Sequence, residues 1–184
     1  FFISFPDDWK GNNEIEQNEI KSLNEAKRIV SAEKKKIAAV IIEPLVQGAS
    51  GMKICRHEYL TKLVNIFKES GIIVIFDEVM TGFGRTGKMF ASDYLKVAPD
   101  IICLAKSLTG GFIPLAATIF SEEIHGKFVD DDLDKTFLHG HTFSANPVAC
   151  SVALSSINLF QKDKNLDKIK NIAEIHKNCL ELYI

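Results

Sequence analysis

The chain has 184 residues, enough for one domain with a sizeable core, and its 46% hydrophobic and 25% charged content is ordinary for a globular protein. A net charge of −2 and a pI near 6.2 argue against a dedicated nucleic-acid binder. No apolar run reaches the roughly 18 residues of a membrane span, so no membrane partner is expected. Cys55, Cys103, Cys150 and Cys179 form no C-x-x-C pair, and Cys103 and Cys150 sit in apolar contexts. This predicts reduced core thiols in a cytoplasmic protein, with neither disulfide nor metal site.

Residues 1–20 show little periodicity and read as a surface connection. Ser22 to Glu33 carries Leu23, Ala26, Ile29 and Val30 at helical spacing, with Ser22 as N-cap and Glu25 completing a capping box. Lys34-Lys35-Lys36 closes that helix. Ile37 to Ile42 reads as a buried strand ending in Glu43-Pro44, followed by the loop Gln47-Gly48-Ala49-Ser50-Gly51-Met52. His57 to Ser70 is an amphipathic helix on Leu60, Leu63, Val64 and Phe67, stopped by Gly71. With the strand Ile72 to Phe76 this makes a β-α-β unit, hence a parallel pair.

Asp77-Glu78 ends that strand, and a loop with three glycines follows, Thr81-Gly82-Phe83-Gly84-Arg85-Thr86-Gly87. Lys88 to Tyr94 forms a helix or a turn. A second buried run, Ile101 to Ala105, ends in Lys106. The link through Gly110, Gly111 and Pro114 is too short for a crossover, so the strand Leu115 to Phe120 runs antiparallel to its predecessor. Ser121 caps a short helix with Glu122 and Glu123 in its first turn. An acidic loop spans Asp130 to Asp134. His139-Gly140-His141-Thr142-Phe143 leads to Asn146-Pro147, a long helix to Phe160, and a further helical pattern from Leu166. The chain opens Phe1-Phe2-Ile3 rather than with Met and stops inside a helical pattern, which predicts a piece of a longer polypeptide.

Asp77 and Lys106 are the candidate functional pair. Each closes an apolar strand, and open α/β sheets bind ligands at the carboxyl ends of their strands. Adjacent strands lie about 4.8 Å apart, so two such groups span a ring the size of pyridine. A carboxylate under a ring nitrogen keeps that nitrogen protonated, and a lysine forms a Schiff base with a ring aldehyde. The residue pattern alone leaves two other readings open. One is a carboxylate that only caps its loop; the other is a lysine that only snorkels from a strand end. A nucleotide-binding fold is set aside, because neither a G-x-G-x-x-G fingerprint nor a Walker lysine is read.

Phe76-Asp77-Glu78-Val79-Met80-Thr81-Gly82-Phe83-Gly84-Arg85-Thr86-Gly87 resembles the signature of the class III (omega) aminotransferases. The 29-residue spacing to Lys106, Pro99-Asp100-Ile101, Gly110-Gly111, Glu43-Pro44 and the His139–Phe143 stretch fit the same family. The resemblance covers most of residues 37–160. It implies an α/β fold, namely part of the type I pyridoxal-phosphate transferase large domain, a mostly parallel sheet with one antiparallel strand flanked by helices. Residues 1–160 would belong to that domain, and 161–184 would lead toward a carboxyl-terminal domain absent from the chain, as is the family's amino-terminal part.

The resemblance further implies pyridoxal 5'-phosphate as cofactor. Lys106 is then the Schiff-base lysine and proton shuttle between Cα and C4′, and Asp77 the partner of the pyridine nitrogen. Val79 packs on the ring. Thr142 donates to the cofactor phosphate across a homodimer interface, with His141 shaping that loop. Gly140 and Arg85 are the substrate-facing candidates, Arg85 alternatively stabilising the glycine-rich loop, and Glu78 is structural. Within the family, Glu43 to Met52 is similar to the biotin-synthesis branch. The ornithine and 4-aminobutyrate branches usually carry Glu where Ala49 stands and Gln where Met80 stands. That branch aminates 8-amino-7-oxononanoate to 7,8-diaminononanoate, with S-adenosylmethionine (in some members lysine) as donor. Other class III aminotransferases, an aminomutase or an inactive truncated product are the alternatives. The isolated chain is expected to be weakly folded or inactive, since a sheet lacking strands has open edges.

Overall fold

A computed structural model describes residues 1–183. Its elements in order are α1 (Ile15–Glu33), β1 (Ala39–Ile42), β2 (Val46–Gln47), β3 (Lys53–Ile54), α2 (His57–Glu69), β4 (Ile73–Asp77), β5 (Ile101–Leu104), β6 (Ala117–Phe120), α3 (Glu122–His125), α4 (Pro147–Lys162) and α5 (Asn165–Tyr183). Four strands form one sheet in the order β1-β4-β5-β6. β1, β4 and β5 are parallel, and β6 is antiparallel to β5, with Ile101 opposite Phe120 and Leu104 opposite Ala117. The expected mixed α/β architecture is therefore present. β2 and β3 form a separate small hairpin over residues 46–54, closing on the turn that carries Gly48 and Gly51.

The core lies where α1 and α2 cover the β1–β4 side of the sheet. Leu60, Val64, Val74 and Phe76 are completely buried, and Tyr59 and Phe67 nearly so. The α2 stripe of Leu60, Leu63, Val64 and Phe67 is the one its periodicity predicts. Gly71, at φ +68°, ends that helix region with a left-handed residue.

Three local expectations are corrected. Helix α1 begins at Ile15, so Ser22 lies in its middle rather than at its cap. The Ser22 side chain is buried against α2, with its hydroxyl 2.7 Å from the Tyr59 hydroxyl. A tertiary hydrogen bond has overridden the local cap signal. Strand β1 is not buried: it pairs only with β4 among the described residues, and Ile41 is 65% exposed. Likewise Thr118, Ile119 and Phe120 of β6 are exposed. Both are edge strands, and five apolar letters in a row do not distinguish an edge from a centre. Finally, the buried cysteine is Cys55, while Cys103 and Cys150 are half-buried; all four thiols are free.

At the end of the sheet away from the strand C-termini, Asp100 ties three elements together. Its Oδ2 accepts from the Val74 amide at 2.8 Å, and its Oδ1 accepts from Lys68 Nζ at 2.7 Å. Its carbonyl accepts from the Ser121 amide at 3.0 Å. This fixes the offset between β4 and β5, and so decides which of their residues emerge together at the opposite edge. Arg56 makes a bidentate pair with Glu19, both bonds 2.7 Å, which locks α2 to α1.

Candidate active site

The site begins with strand register. Asp77, the last residue of β4, stands opposite Cys103 on β5, and β5 runs on through Leu104 and Ala105 to Lys106. The carboxylate and the amine therefore leave the same edge of the sheet from adjacent strands, about 4.8 Å apart. Asp77 is half-buried and borders a cleft of about 420 Å³ beside β1, which Glu43 and Gln47 also line. Its Oδ1 accepts from the Val79 amide at 3.0 Å. Oδ2 has no hydrogen-bond partner among the described residues. Val79 is half-buried directly after the turn that this bond closes.

Lys106 is exposed and opens a 3-10 turn, Lys106–Thr109, with φ +45°. A left-handed backbone is uncommon outside glycine and clusters at functional positions. Its amine has no salt-bridge or hydrogen-bond partner among the described residues. The loop after Asp77 is anchored by Glu78, whose side chain is completely buried. Glu78 Oε2 accepts from the Ala91 amide at 2.7 Å and from the Thr81 hydroxyl at 3.0 Å; Oε1 accepts from the Ser92 amide at 2.8 Å. Its own amide donates to the Cys103 carbonyl at 3.0 Å. Three donors and no cation hold this carboxylate, in keeping with the structural role expected of it.

The glycine loop needs its glycines. Gly84 has φ +91°, and a Cβ there would come within 2.5 Å of Ile169 Cδ1 and 3.1 Å of Phe160 Cζ. Helix α5 is thus packed against the loop rather than only leading away from it. The run Gly82-Phe83-Gly84-Arg85-Thr86-Gly87 does have G-x-G-x-x-G spacing, which corrects the earlier reading. It forms turns and opens no helix, so the helix N-terminus of a dinucleotide site is not formed there. Gly48 donates its amide to Glu43 Oε2 at 2.9 Å, and a Cβ at Gly48 would lie 2.5 Å from Met80 Sδ. Met80 and the Glu43–Met52 loop are therefore fitted to each other.

The remaining candidates lie elsewhere. Arg85 is exposed and borders a separate cleft of about 470 Å³ with Met80, Thr86 and Tyr94. Gly140, His141 and Thr142 are exposed, and the hydrogen bonds of their stretch stay within it. The His141 amide donates to Ser144 Oγ at 3.0 Å, and the Phe143 amide donates to His141 Nδ1 at 3.1 Å. The strand register sets Asp77 and Lys106 at the carboxyl ends of adjacent strands, with Val79 bonded to Asp77, while Arg85 borders a different cleft.

The sequence profile described as aminotransferase class-III matches residues 2–183. The chain belongs to the class III aminotransferases. Among curated relatives, the adenosylmethionine-8-amino-7-oxononanoate aminotransferase of Synechococcus elongatus is 40% identical over 98% of this chain and 42% of its own length. Among solved structures, the same-named enzyme of Methanocaldococcus jannaschii matches with a TM-score of 0.79 at 38% identity, over 85% of this chain and 37% of that one. A Bacillus anthracis aminotransferase matches with a TM-score of 0.86 at 30% identity, over 94% and 39%. This class III aminotransferase chain thus spans about two fifths of the proteins it matches, as the 42% and 39% figures show.

The family is pyridoxal-phosphate-dependent, and the residues present fit that cofactor. Asp77 keeps one carboxylate oxygen uncommitted, suited to a protonated ring nitrogen. Lys106 offers an uncommitted amine from the next strand. No helix among the described residues is long and apolar enough to cross a membrane. No cluster of metal-ligating side chains occurs among them.

Proposed function

We propose that this chain carries the lysine–aspartate half of the active site of an enzyme that transaminates 8-amino-7-oxononanoate to 7,8-diaminononanoate, with S-adenosylmethionine as amino donor. The observation that carries the reading is the placement of Asp77 and Lys106 at the carboxyl ends of adjacent parallel strands. The names of the relatives support the substrates.

Bound pyridoxal phosphate supplies a reactive aldehyde and an electron-accepting ring. Lys106 would hold the cofactor through its amine and, once freed by the incoming substrate amine, would act as the base that moves the proton from the substrate Cα. Asp77 holds the proton on the ring nitrogen, and the Val79 amide orients Asp77 through the 3.0 Å bond to Oδ1. Val79 covers the ring face. Thr142 would donate to the phosphate across a homodimer interface, His141 would set the shape of that stretch, Gly140 would border the substrate, and Arg85 would help position the substrate or steady the glycine-rich loop. The exposed Phe112, Phe137, Leu138 and Phe143 support such an interface, since large apolar side chains in water favour association. We place the enzyme in the cytoplasm.

The exposed Lys106, the open edges at β1 and β6 and the 42% coverage of the cyanobacterial relative support a further part of the proposal. The activity belongs to a polypeptide longer than this chain, in which residues 1–160 form part of the large domain and 161–184 lead toward the next. The 184 residues alone are then inactive. The B. anthracis aminotransferase, with its TM-score of 0.86, favours a second reading, another class III aminotransferase with a different acceptor. The test is an acceptor competition with the polypeptide expressed from this chain's gene, offering 8-amino-7-oxononanoate or pyruvate to the amine-loaded enzyme. Preference for the former supports the proposal; preference for pyruvate selects the second reading.

A further inference from the structure

The turn that carries Lys106 is held by a side chain to which the proposed chemistry gives no task. Thr109 is 2% exposed, and its hydroxyl donates to the Ile113 carbonyl at 2.6 Å. That bond spans Gly110 and Gly111, at φ +62° and +84°, and staples the exit of the turn to its body. In the turn itself, before the staple, the Leu108 amide donates to the Ala105 carbonyl at 2.9 Å, and the Gly110 amide to that of Ser107 at 3.0 Å. Leu108 is buried at 6% exposure, and a Cβ at Gly110 would sit 3.4 Å from Ser156 Oγ of α4. Lys106 is the exposed end of this assembly, in a left-handed conformation a lysine does not choose by itself. Such a conformation persists only where the surroundings over-determine it.

We propose that Thr109 is a positioning residue for Lys106: its buried hydroxyl fastens the turn that holds the lysine backbone left-handed at the sheet edge. The inference rests on the reading of Lys106 as the reactive amine. A hydroxyl is required because the Ile113 carbonyl, if left without a donor, favours an altered turn. Valine has the shape of threonine but no donor, and serine has the donor but less bulk.

The experiment uses the polypeptide expressed from this chain's gene as wild type, Thr109→Val, Thr109→Ala, Thr109→Ser and Leu108→Val. Leu108→Val thins the same buried layer without touching the staple. Two readouts are taken: amide hydrogen exchange along residues 105–113, and the yield of cofactor fixed to Lys106 by borohydride, located by peptide mass. In Thr109→Val and Thr109→Ala, exchange within 107–113 should rise about tenfold while β4 and β5 stay protected. Fixation at Lys106 should fall between about tenfold and 10²-fold in both. Thr109→Ser and Leu108→Val should stay within about twofold of wild type in both readouts. Thr109→Ala carries the test should Thr109→Val not fold. Equal fixation in all variants overturns the inference, as does equal loss in Thr109→Ser and Thr109→Val, or faster exchange spread over the whole sheet. A wild type that fixes the cofactor at a different lysine overturns instead the assignment of Lys106, on which the inference rests.

Discussion

The amino-terminal and carboxyl-terminal parts of this chain differ in what surrounds them. Between α1 and the Lys106 turn, Tyr59, Leu60, Val64, Val74 and Phe76 are each 1% exposed or less. Beyond Ser121, only Ala149 and Ala153 are buried among the described residues, while Leu138, Phe143, Leu154 and Leu159 are more than half exposed. One part makes its own core and holds Asp77 and Glu78 through it. The other presents apolar faces and the His139–Phe143 stretch to whatever packs there. The difference teaches that the two ends of the proposed cofactor site have different structural origins. The ring end is set by strand register within the chain, and the phosphate end by a stretch bonded only to itself.

Substitutions sharpen that contrast. The largest effect is expected at the sheet edge. Lys106→Arg should lower transamination by about 10²–10⁴-fold with little change in thermal stability, because an exposed guanidinium replaces an exposed amine and cannot shuttle the proton. Next, Leu60→Ala should destabilise by about 2–5 kcal/mol in denaturant titrations. Leu154→Ala, on the exposed face of α4, should stay within about 0.5 kcal/mol in the same chain. If Leu154→Ala costs as much as Leu60→Ala, the contrast between the two parts fails.

A pH series probes the same core. Burial pushes the Cys55 thiol and the Tyr59 hydroxyl each up to about 12, from ordinary values of 9.0 and 10.0; hydrogen bonds to Leu45 and Ser22 oppose the shift only in part. Both groups are protonated more tightly when folded. Their stabilisation is therefore complete below pH 9 and is lost as pH rises to about 12. Denaturation at stepped pH should show a fall of several kcal/mol over that window, and Tyr59→Phe should flatten its upper part. The smallest effect is expected at the α1–α2 lock, where Arg56→Lys should lower the denaturation midpoint slightly, since a point charge cannot make both bonds to Glu19.

Much of this architecture was legible in the residues. The two apolar runs ending in Asp77 and Lys106, the parallel crossover through α2 and the antiparallel return to β6 follow from periodicity and loop length. Edge exposure did not, since Ile37–Ile42 reads the same in an edge strand as in a central one. Ser22 looked like a cap because Glu25 follows it, and only the Tyr59 hydroxyl across the interface explains its burial. The left-handed Lys106 and the Thr109 staple were not read from the residues, because a positive φ at lysine and the partner of a buried hydroxyl depend on the folded turn rather than on residue type. The G-x-G-x-x-G spacing at Gly82–Gly87 stands in the sequence, and the turns that follow it in place of a helix decide its meaning.

The central claim is that Lys106, beside Asp77, is the amine that receives the cofactor aldehyde. The direct measurement is borohydride reduction of the polypeptide expressed from this chain's gene after addition of pyridoxal phosphate, followed by peptide mapping. The account predicts the cofactor fixed on the peptide containing Lys106, its loss in Lys106→Arg, and none fixed in the isolated 184-residue chain. Fixation on another lysine, undiminished in Lys106→Arg, would contradict it.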